Sequence, residues 1–246
     1  WQLCVAGDTL LVHAGTYRET MTYQNMTFPS GTAENPIMIL PAPGETVTIA
    51  PPALLGAGYL INIFQVPNIH TQIGDVNRGF IFDGEYVSGS GVITNAGSGL
   101  KTSTPYDDVW NSGTAYVAGN IVQVSAYMYR ALQASTGQNP TTATTFWEQI
   151  LDFGLRIVGN TFQNTAQHAI LNGDTVPGTQ IIRNTFLNCG HEPGTTPPVA
   201  NYNYGMYLQS YLTVVDGNYI FRSGQYAIHM YSQVALLHQN VVRNNT

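Results

Sequence analysis

The sequence predicts an all-β protein whose chain winds as a parallel β-helix and carries a small β-rich insert near its middle. Three observations support this fold class. Hydrophobic residues occur in short runs rather than in long helical patterns. The 25 glycines and 13 prolines imply frequent turns. A short motif also recurs at intervals of about two dozen residues, which is typical of solenoid coils and excludes helical bundles.

The repeat is clearest after residue 154. Its copies are IVGNTF at 157–162, IIRNTF at 181–186, VVDGNYI at 214–220, and a weaker copy that ends in Asn240-Val241-Val242. The Asn positions 160, 184, 218 and 240 are 24, 34 and 22 residues apart, and the longest interval contains the Gly-, Pro- and Thr-rich stretch 194–203. Each copy continues into a second short strand, so one copy predicts one coil.

Stacked coils explain why these residue types recur. Inward Ile, Val, Leu and Phe would lie on their equivalents in the next coil, about 4.8 Å away, and form apolar columns. The recurring Asn is expected at a sharp turn, in the left-handed conformation, with its side-chain amide bonded to the amide of the next coil. We therefore interpret these Asn residues as structural.

The amino-terminal part contains less regular copies, with strand-like runs at 9–13, 37–40, 47–49, 59–63 and 80–84. The segment AGDTLLVHAGTYRE at 6–19 resembles the first coil of the pectate-lyase-like right-handed parallel β-helix superfamily. The resemblance covers residues 1 to about 100 and 152–246. It implies a right-handed β-helix, and it implies that the capping helix before this segment is truncated. It leaves the reaction open, because lyases, hydrolases, epimerases and structural spikes share this fold.

Residues 105–151 differ in character from their surroundings, which predicts three units at 1–104, 105–151 and 152–246. The middle unit resembles the chitin-binding type 3 fold, the carbohydrate-binding modules of families 5 and 12, although Asn120 replaces a common Asp and Ala126 a usual turn Gly. A pyranose ring can lie flat on an aromatic ring. The resemblance implies a ligand-binding platform of Trp110, Tyr127, Tyr129 and Trp147. The alternative is that these rings build the core of the unit.

Composition narrows the classes of partner. The formal net charge is −6 and Lys101 is the only lysine, so we expect no nucleic-acid partner. No apolar run is long enough for a membrane span, and we expect no membrane insertion. Few charged residues with abundant Thr, Asn and Tyr favour an extracellular, cell-surface or virion protein. Cys4 and Cys189 lack metal-type spacing and are predicted to be buried thiols.

Whether the chain is an enzyme is left open. A polysaccharide lyase needs a base and a cation, and the repeats offer His168 and Arg222, with His229 and Arg183 as further choices. A hydrolase needs two carboxylates, for which Asp174 and Glu192 are the candidates and Asp216 a third. The sequence shows no acidic cluster typical of either class. Calcium binding is expected only if the chain is a lyase, and no metal site or other cofactor is predicted.

The function we predict is polysaccharide recognition, with a rigid solenoid shaft and a glycan-contacting insert, as in a tail spike. Two alternatives stay open. One is a lyase or hydrolase acting along the β-helix face. The other is a purely structural filament or spike component, in which uncapped coils pair with a second copy.

Overall fold

The computed structural model describes residues 3–18, 21–22, 31–52, 59–64, 70–75, 79–85, 98–103, 108–125, 127–165, 167–173, 176–190, 204–231 and 241–246. All regular structure in these ranges is strand, and no part of them forms a helix that could cross a membrane. The strands are β1 (Thr9–Val12), β2 (Gly15–Arg18), β3 (Met21–Thr22), β4 (Ile37–Pro41), β5 (Val47–Ala50), β6 (Tyr59–Phe64), β7 (Thr71–Ile73), β8 (Ile81–Asp83), β9 (Ser98–Ser103), β10 (Asp108–Val109), β11 (Ala115–Tyr116), β12 (Ile121–Val124), β13 (Tyr127–Ala131), β14 (Ser135–Thr136), β15 (Trp147–Ile150), β16 (Arg156–Val158), β17 (Thr161–Gln163), β18 (Ile170–Asn172), β19 (Gln180–Ile182), β20 (Thr185–Cys189), β21 (Tyr204–Leu208), β22 (Val214–Asp216), β23 (Tyr219–Ser223), β24 (Tyr226–Met230) and β25 (Val241–Arg243).

Three parallel sheets contain the repeats. Sheet A has the order β1-β4-β7-β16-β19-β22-β25, sheet B the order β2-β5-β8-β17-β20-β23, and sheet C the order β3-β6-β9-β18-β21-β24. The chain visits A, B and C in turn and then pairs with the strand of the previous round. The all-β class is confirmed, and this strand order is compatible with the predicted β-helix.

The register keeps equivalent side chains in columns. In sheet B, Phe82 pairs with Phe162 and Phe162 with Phe186. Their rings stack with centroids 4.8 and 5.2 Å apart, and all three are fully buried. In sheet A, Ile157 and Ile181 continue a similar buried column. The predicted apolar columns are therefore present, and they form the core of the described coils.

A ladder of asparagines runs along the turn between sheets A and B. The backbone amide of Asn160 donates to Oδ1 of Asn184, and that of Asn184 donates to Oδ1 of Asn218, each at 2.9 Å. The Nδ2 groups of the same residues donate to carbonyl groups one coil back, at Ile73, Ile157 and Ile181. These bonds satisfy buried backbone groups at a turn where the sheet ladders end.

Two expectations about this ladder were wrong. Its fourth member is Asn245, whose Oδ1 accepts from Asn218. Asn240 lies outside the described residues, and the pairing of Val241 with Val214 puts Asn245 in register with Asn218. The left-handed residue is also the one before each ladder position, including Gly159, Arg183 and Gly217. The ladder Asn needs an ordinary backbone conformation to turn its amide towards the neighbouring coil.

The strands of the insert lie between β9 of sheet C and β16 of sheet A. Strands β10, β12, β13 and β15 form a separate four-stranded sheet, and β11 pairs with β14. One face of the four-stranded sheet contributes Ile121, Met128 and Ile150 to the same buried cluster as the coils. The insert is therefore packed against the coils along one face, while its predicted boundaries at 105 and 151 stay a prediction.

The two cysteines are free thiols in different surroundings. Cys189 is fully buried and burial raises its pKa to about 12, so the thiol is protonated and unreactive. Cys4 is only partly buried, so the expectation of two buried thiols holds for Cys189 alone.

Candidate functional site

The predicted aromatic platform of the insert divides into buried and half-buried rings. Trp147 is 2% exposed and packs edge-on against Tyr116, with ring centroids 5.2 Å apart. Its Nε1 donates to the carbonyl oxygen of Gln138 at 2.9 Å. Tyr129 is also buried, and burial raises its pKa. Both rings belong to the core of the insert, as the alternative to a binding platform expected.

Trp110 and Tyr127 lie at the edge of that core. The backbone amide of Trp110 donates to Gln123, which places Trp110 beside Val124, the residue that pairs with Tyr127. The Tyr127 ring meets the Tyr211 ring edge-on, with centroids 5.6 Å apart. Tyr211 follows β21 and donates its hydroxyl to the carbonyl oxygen of Ile150 at 2.9 Å. Only Trp110 and Tyr127 of the predicted platform are partly accessible to a ligand.

A second group of rings lies along sheet C, and we call it the ring cluster. Its members are His168, Tyr204, Tyr207, Tyr226, His229 and Tyr231. They come from β21, β24 and the residues beside β18 and β24, which are neighbouring strands in sheet C. The parallel register thus brings together residues that are up to 63 positions apart along the chain.

The rings are arranged in two columns. His168, Tyr204 and Tyr226 form the first, with centroid distances of 5.3 and 5.8 Å and planes within 22°. Tyr207 and His229 form the second, 5.1 Å apart with planes within 9°. The columns touch where the rings of Tyr204 and His229 approach to 4.4 Å at an angle of 59°. Offset stacks and tilted contacts are both favourable aromatic geometries, so the columns also hold neighbouring coils together.

Exposure varies within the cluster. Tyr204 is 2% exposed, whereas Tyr226 and Tyr231 are 52% and 45% exposed. His168, Tyr207 and His229 are intermediate. Tyr204 is therefore a buried support, and the other rings can contact a ligand from outside the sheet. Burial, followed by the neighbouring Tyr231, raises the pKa of Tyr207, which keeps this phenol protonated as a hydrogen-bond donor.

His168 is held as a neutral imidazole. Its Nδ1 accepts a hydrogen bond from the backbone amide of Tyr204 at 3.1 Å, which assigns the proton to Nε2. Burial and then the nearby His229 lower the pKa of His168 to about 4. Because the lone pair on Nδ1 is engaged, His168 is poorly placed to remove a proton in this conformation. The catalytic role assigned to it stays a prediction.

Arg222 lies within β23 of sheet B rather than on sheet C. Its φ is 55°, in the left-handed region, in register with Asn164 and Asn188, which share that conformation. Its guanidinium carbon is 5.1 Å from the centroid of the Phe221 ring, a cation–π contact. The predicted carboxylates Asp174 and Glu192 lie outside the described residues, so an acid–base pair formed with them stays a prediction.

The other residues weighed for catalysis have structural partners. Asp216 accepts from Arg243 and Asn244, and these two side chains lower its pKa. Arg183 pairs with Asp75 at 3.1 Å. Within the described ranges, no three His, Cys, Asp or Glu side chains come close enough together to hold a metal ion.

Four members of the ring cluster were not predicted as site residues: Tyr204, Tyr207, Tyr226 and Tyr231. A signal was present, because Tyr204 and Tyr207 recur 22 residues later as Tyr226 and His229. The same offset relates the two second strands of the repeat, β21 and β24. Rings at matching positions of two successive copies predict stacked columns, and the intervening stretch at 191–203 hides the third copy, which contributes His168.

Comparisons with known proteins identify no relative. The chain matches no family model, and searches of curated proteins and of solved structures give no significant match.

Proposed function

We propose that this is an extracellular or virion-surface protein that recognises polysaccharide, with the ring cluster on sheet C as the principal contact. The observation that carries the proposal is the clustering of six aromatic and imidazole rings from three neighbouring coils, including half-exposed Tyr226 and Tyr231. Exposed rings with polar edges offer a flat surface to the apolar face of a sugar and hydrogen bonds to its hydroxyls.

The coils would act as a rigid shaft in this function. We further propose that they belong to the pectate-lyase-like right-handed parallel β-helix superfamily, and that the insert is a chitin-binding type 3 module. The first-coil motif at 6–19, the three parallel sheets and the aromatic pattern at 110–147 support this assignment. The insert would add a smaller contact through Trp110 and Tyr127, since Tyr129 and Trp147 are buried.

A glycan array probed with the whole chain tests the proposal, followed by titration calorimetry on any glycan that binds. The double variant Tyr226→Ala/Tyr231→Ala should weaken binding about tenfold, which corresponds to about 1.4 kcal/mol. Tyr219→Ala is the matched control, because Tyr219 is 47% exposed but lies on β23 of sheet B. The double variant Trp110→Ala/Tyr127→Ala measures how much the insert contributes to the binding affinity.

Absence of binding to any glycan, or equal binding by the double variant and the wild type, would contradict the role of the ring cluster. Binding that is lost only in Trp110→Ala/Tyr127→Ala would move the contact to the insert.

A further inference from the structure

An outward column runs along the neighbouring strands β18, β21 and β24 of sheet C, and its register position continues through the other three strands. The register places Thr22, Asn62, Lys101, Leu171, Tyr207 and His229 in this order, one residue per strand. The neighbouring positions Ile170, Met206 and Leu208 are buried in the core, so strand alternation turns Leu171 and Tyr207 outward. The ring cluster occupies the end of this column that includes β21 and β24.

Sheet C contains very little charge. Among the residues of its six strands, Lys101 is the only Asp, Glu, Lys or Arg. Leu171 lies between Lys101 and the first ring of the column, Tyr207. The polar groups of the ring cluster are phenol hydroxyls, the Nε2–H of the neutral His168 and the imidazole nitrogens of His229.

A chain of uronic acids carries one carboxylate per sugar, and cations placed opposite these carboxylates would favour its binding. The strands of sheet C contribute one cation, Lys101, and therefore offer such a ligand little charge complementarity. A surface of aromatic rings and uncharged hydrogen-bonding groups suits a ligand with apolar C–H faces and hydroxyls.

We infer that the ligand of the ring cluster is a neutral pyranose polysaccharide that lies along the outward column of sheet C, across successive coils. This inference rests on the proposed function and specifies its substrate class. Repeating sugars can then meet equivalent side chains from coil to coil, because the column repeats with the strand spacing of about 4.8 Å. Contact across several coils also explains why rings recur at matching positions of β21 and β24.

Titration of the whole chain with two sets of polysaccharides tests the substrate class. One set is neutral, with glucans, galactans, mannans, xylans and chitin oligosaccharides, and the other is polygalacturonate and alginate. Each titration is run at low and at high salt. We expect at least tenfold tighter binding to a neutral chain, with no more than a twofold change between the two salt concentrations, since no ion pair has to form.

Lys101→Ala provides an independent check. Binding should change less than twofold in this variant, whereas Tyr207→Ala and the double variant Tyr226→Ala/Tyr231→Ala should each lose about tenfold. The unfolding midpoint of Tyr207→Ala shows whether this variant is folded. If it is destabilised, the test relies on the binding affinity of Tyr226→Ala/Tyr231→Ala, whose substituted rings are exposed.

The outcomes separate the two claims. Preferred binding to a polyuronate that weakens with salt and with Lys101→Ala would overturn the neutral ligand and leave polysaccharide recognition standing. No binding to either set, or binding that none of the sheet C variants alters, would overturn the proposed function itself.

Discussion

At the scale of single residues, the asparagines of the ladder have the most consequential contacts. Asn184 is 1% exposed, and both ends of its amide are bonded to neighbouring coils. Its own backbone amide is bonded to the side chain of Asn218. Truncating this side chain would leave a buried N–H at Asn160 and a buried carbonyl at Ile157 without these partners, and unsatisfied buried groups are costly.

Asn184→Ala should therefore lower the free energy of unfolding by about 3 kcal/mol. Urea unfolding followed by circular dichroism measures this change. Asn35→Ala, at an exposed position, is the control and should change the value by less than about 0.5 kcal/mol. Equal midpoints for the two variants would show that the ladder contributes little to stability.

His168 makes stability depend on pH. Its pKa in the folded protein is about 4, below the ordinary value of 6.5, so the unfolded chain takes up the proton more readily. Its contribution to stability is complete above pH 6.5 and is lost as the pH falls from 6.5 through 4.

Between pH 7 and pH 4 the wild type should lose about 2 kcal/mol more stability than His168→Gln, a value that allows for solvent screening of a partly exposed ring. Unfolding midpoints measured across this pH range give the comparison. Parallel pH profiles for the two proteins would contradict the assigned protonation state.

At the scale of elements, the insert and the coils share one buried surface. Ile121, Met128 and Ile150 belong to the main core. The hydroxyl of Tyr211 donates to the last residue of β15, and its ring packs against Tyr127. Burial raises the pKa of Tyr211 to about 12, so this hydroxyl remains a donor at neutral pH. The insert is thus held against sheets A, B and C by contacts beyond its two chain connections.

Tyr211→Phe should remove one buried hydrogen bond and loosen β15 by about 1 kcal/mol, because the carbonyl of Ile150 loses its donor. Hydrogen exchange should show faster exchange of amides in β13 and β15 and little change in β19 and β22. Tyr219→Phe, with an exposed phenol, is the control. Equal protection of β15 in both variants would argue against this anchor.

At the scale of the whole molecule, stability is shared between neighbouring coils. Each strand of sheets A, B and C pairs only with its counterparts one coil away. The stack of Phe82, Phe162 and Phe186 joins three coils through one buried column. A defect in the middle ring should therefore weaken the coils on both sides of it.

Phe162→Ala removes the middle ring of that column and should cost about 4 kcal/mol in the free energy of unfolding. Protection from hydrogen exchange should fall in β8 and β20 as well as in β17. Phe221→Ala, at a 46% exposed ring of sheet B, should cost less than about 1 kcal/mol. Loss of protection confined to β17 would contradict coupling between coils.

The sequence alone was sufficient for the all-β class, the apolar columns and many of the strands, because hydrophobic runs and a regular repeat are local properties of the chain. It also identified three of the four ladder asparagines. It misplaced the fourth at Asn240, although Asn245 follows the apolar pair Val241-Val242 as Asn218 follows Val214-Val215, and the pairing of Val241 with Val214 fixes this register. The aromatic residues of the insert were recognised, but the sequence left open which of them are buried, since a core ring and a surface ring have the same local pattern.

Tertiary structure decided which rings meet. His168, Tyr204 and Tyr226 are separated by 36 and 22 positions, and they become neighbours only because parallel strands align them one coil apart. It also decided that Trp147 lies inside the insert and that Nδ1 of His168 is already bonded. Such properties depend on which strands pair and in which register, and that register is set by packing of the whole core rather than by any one segment.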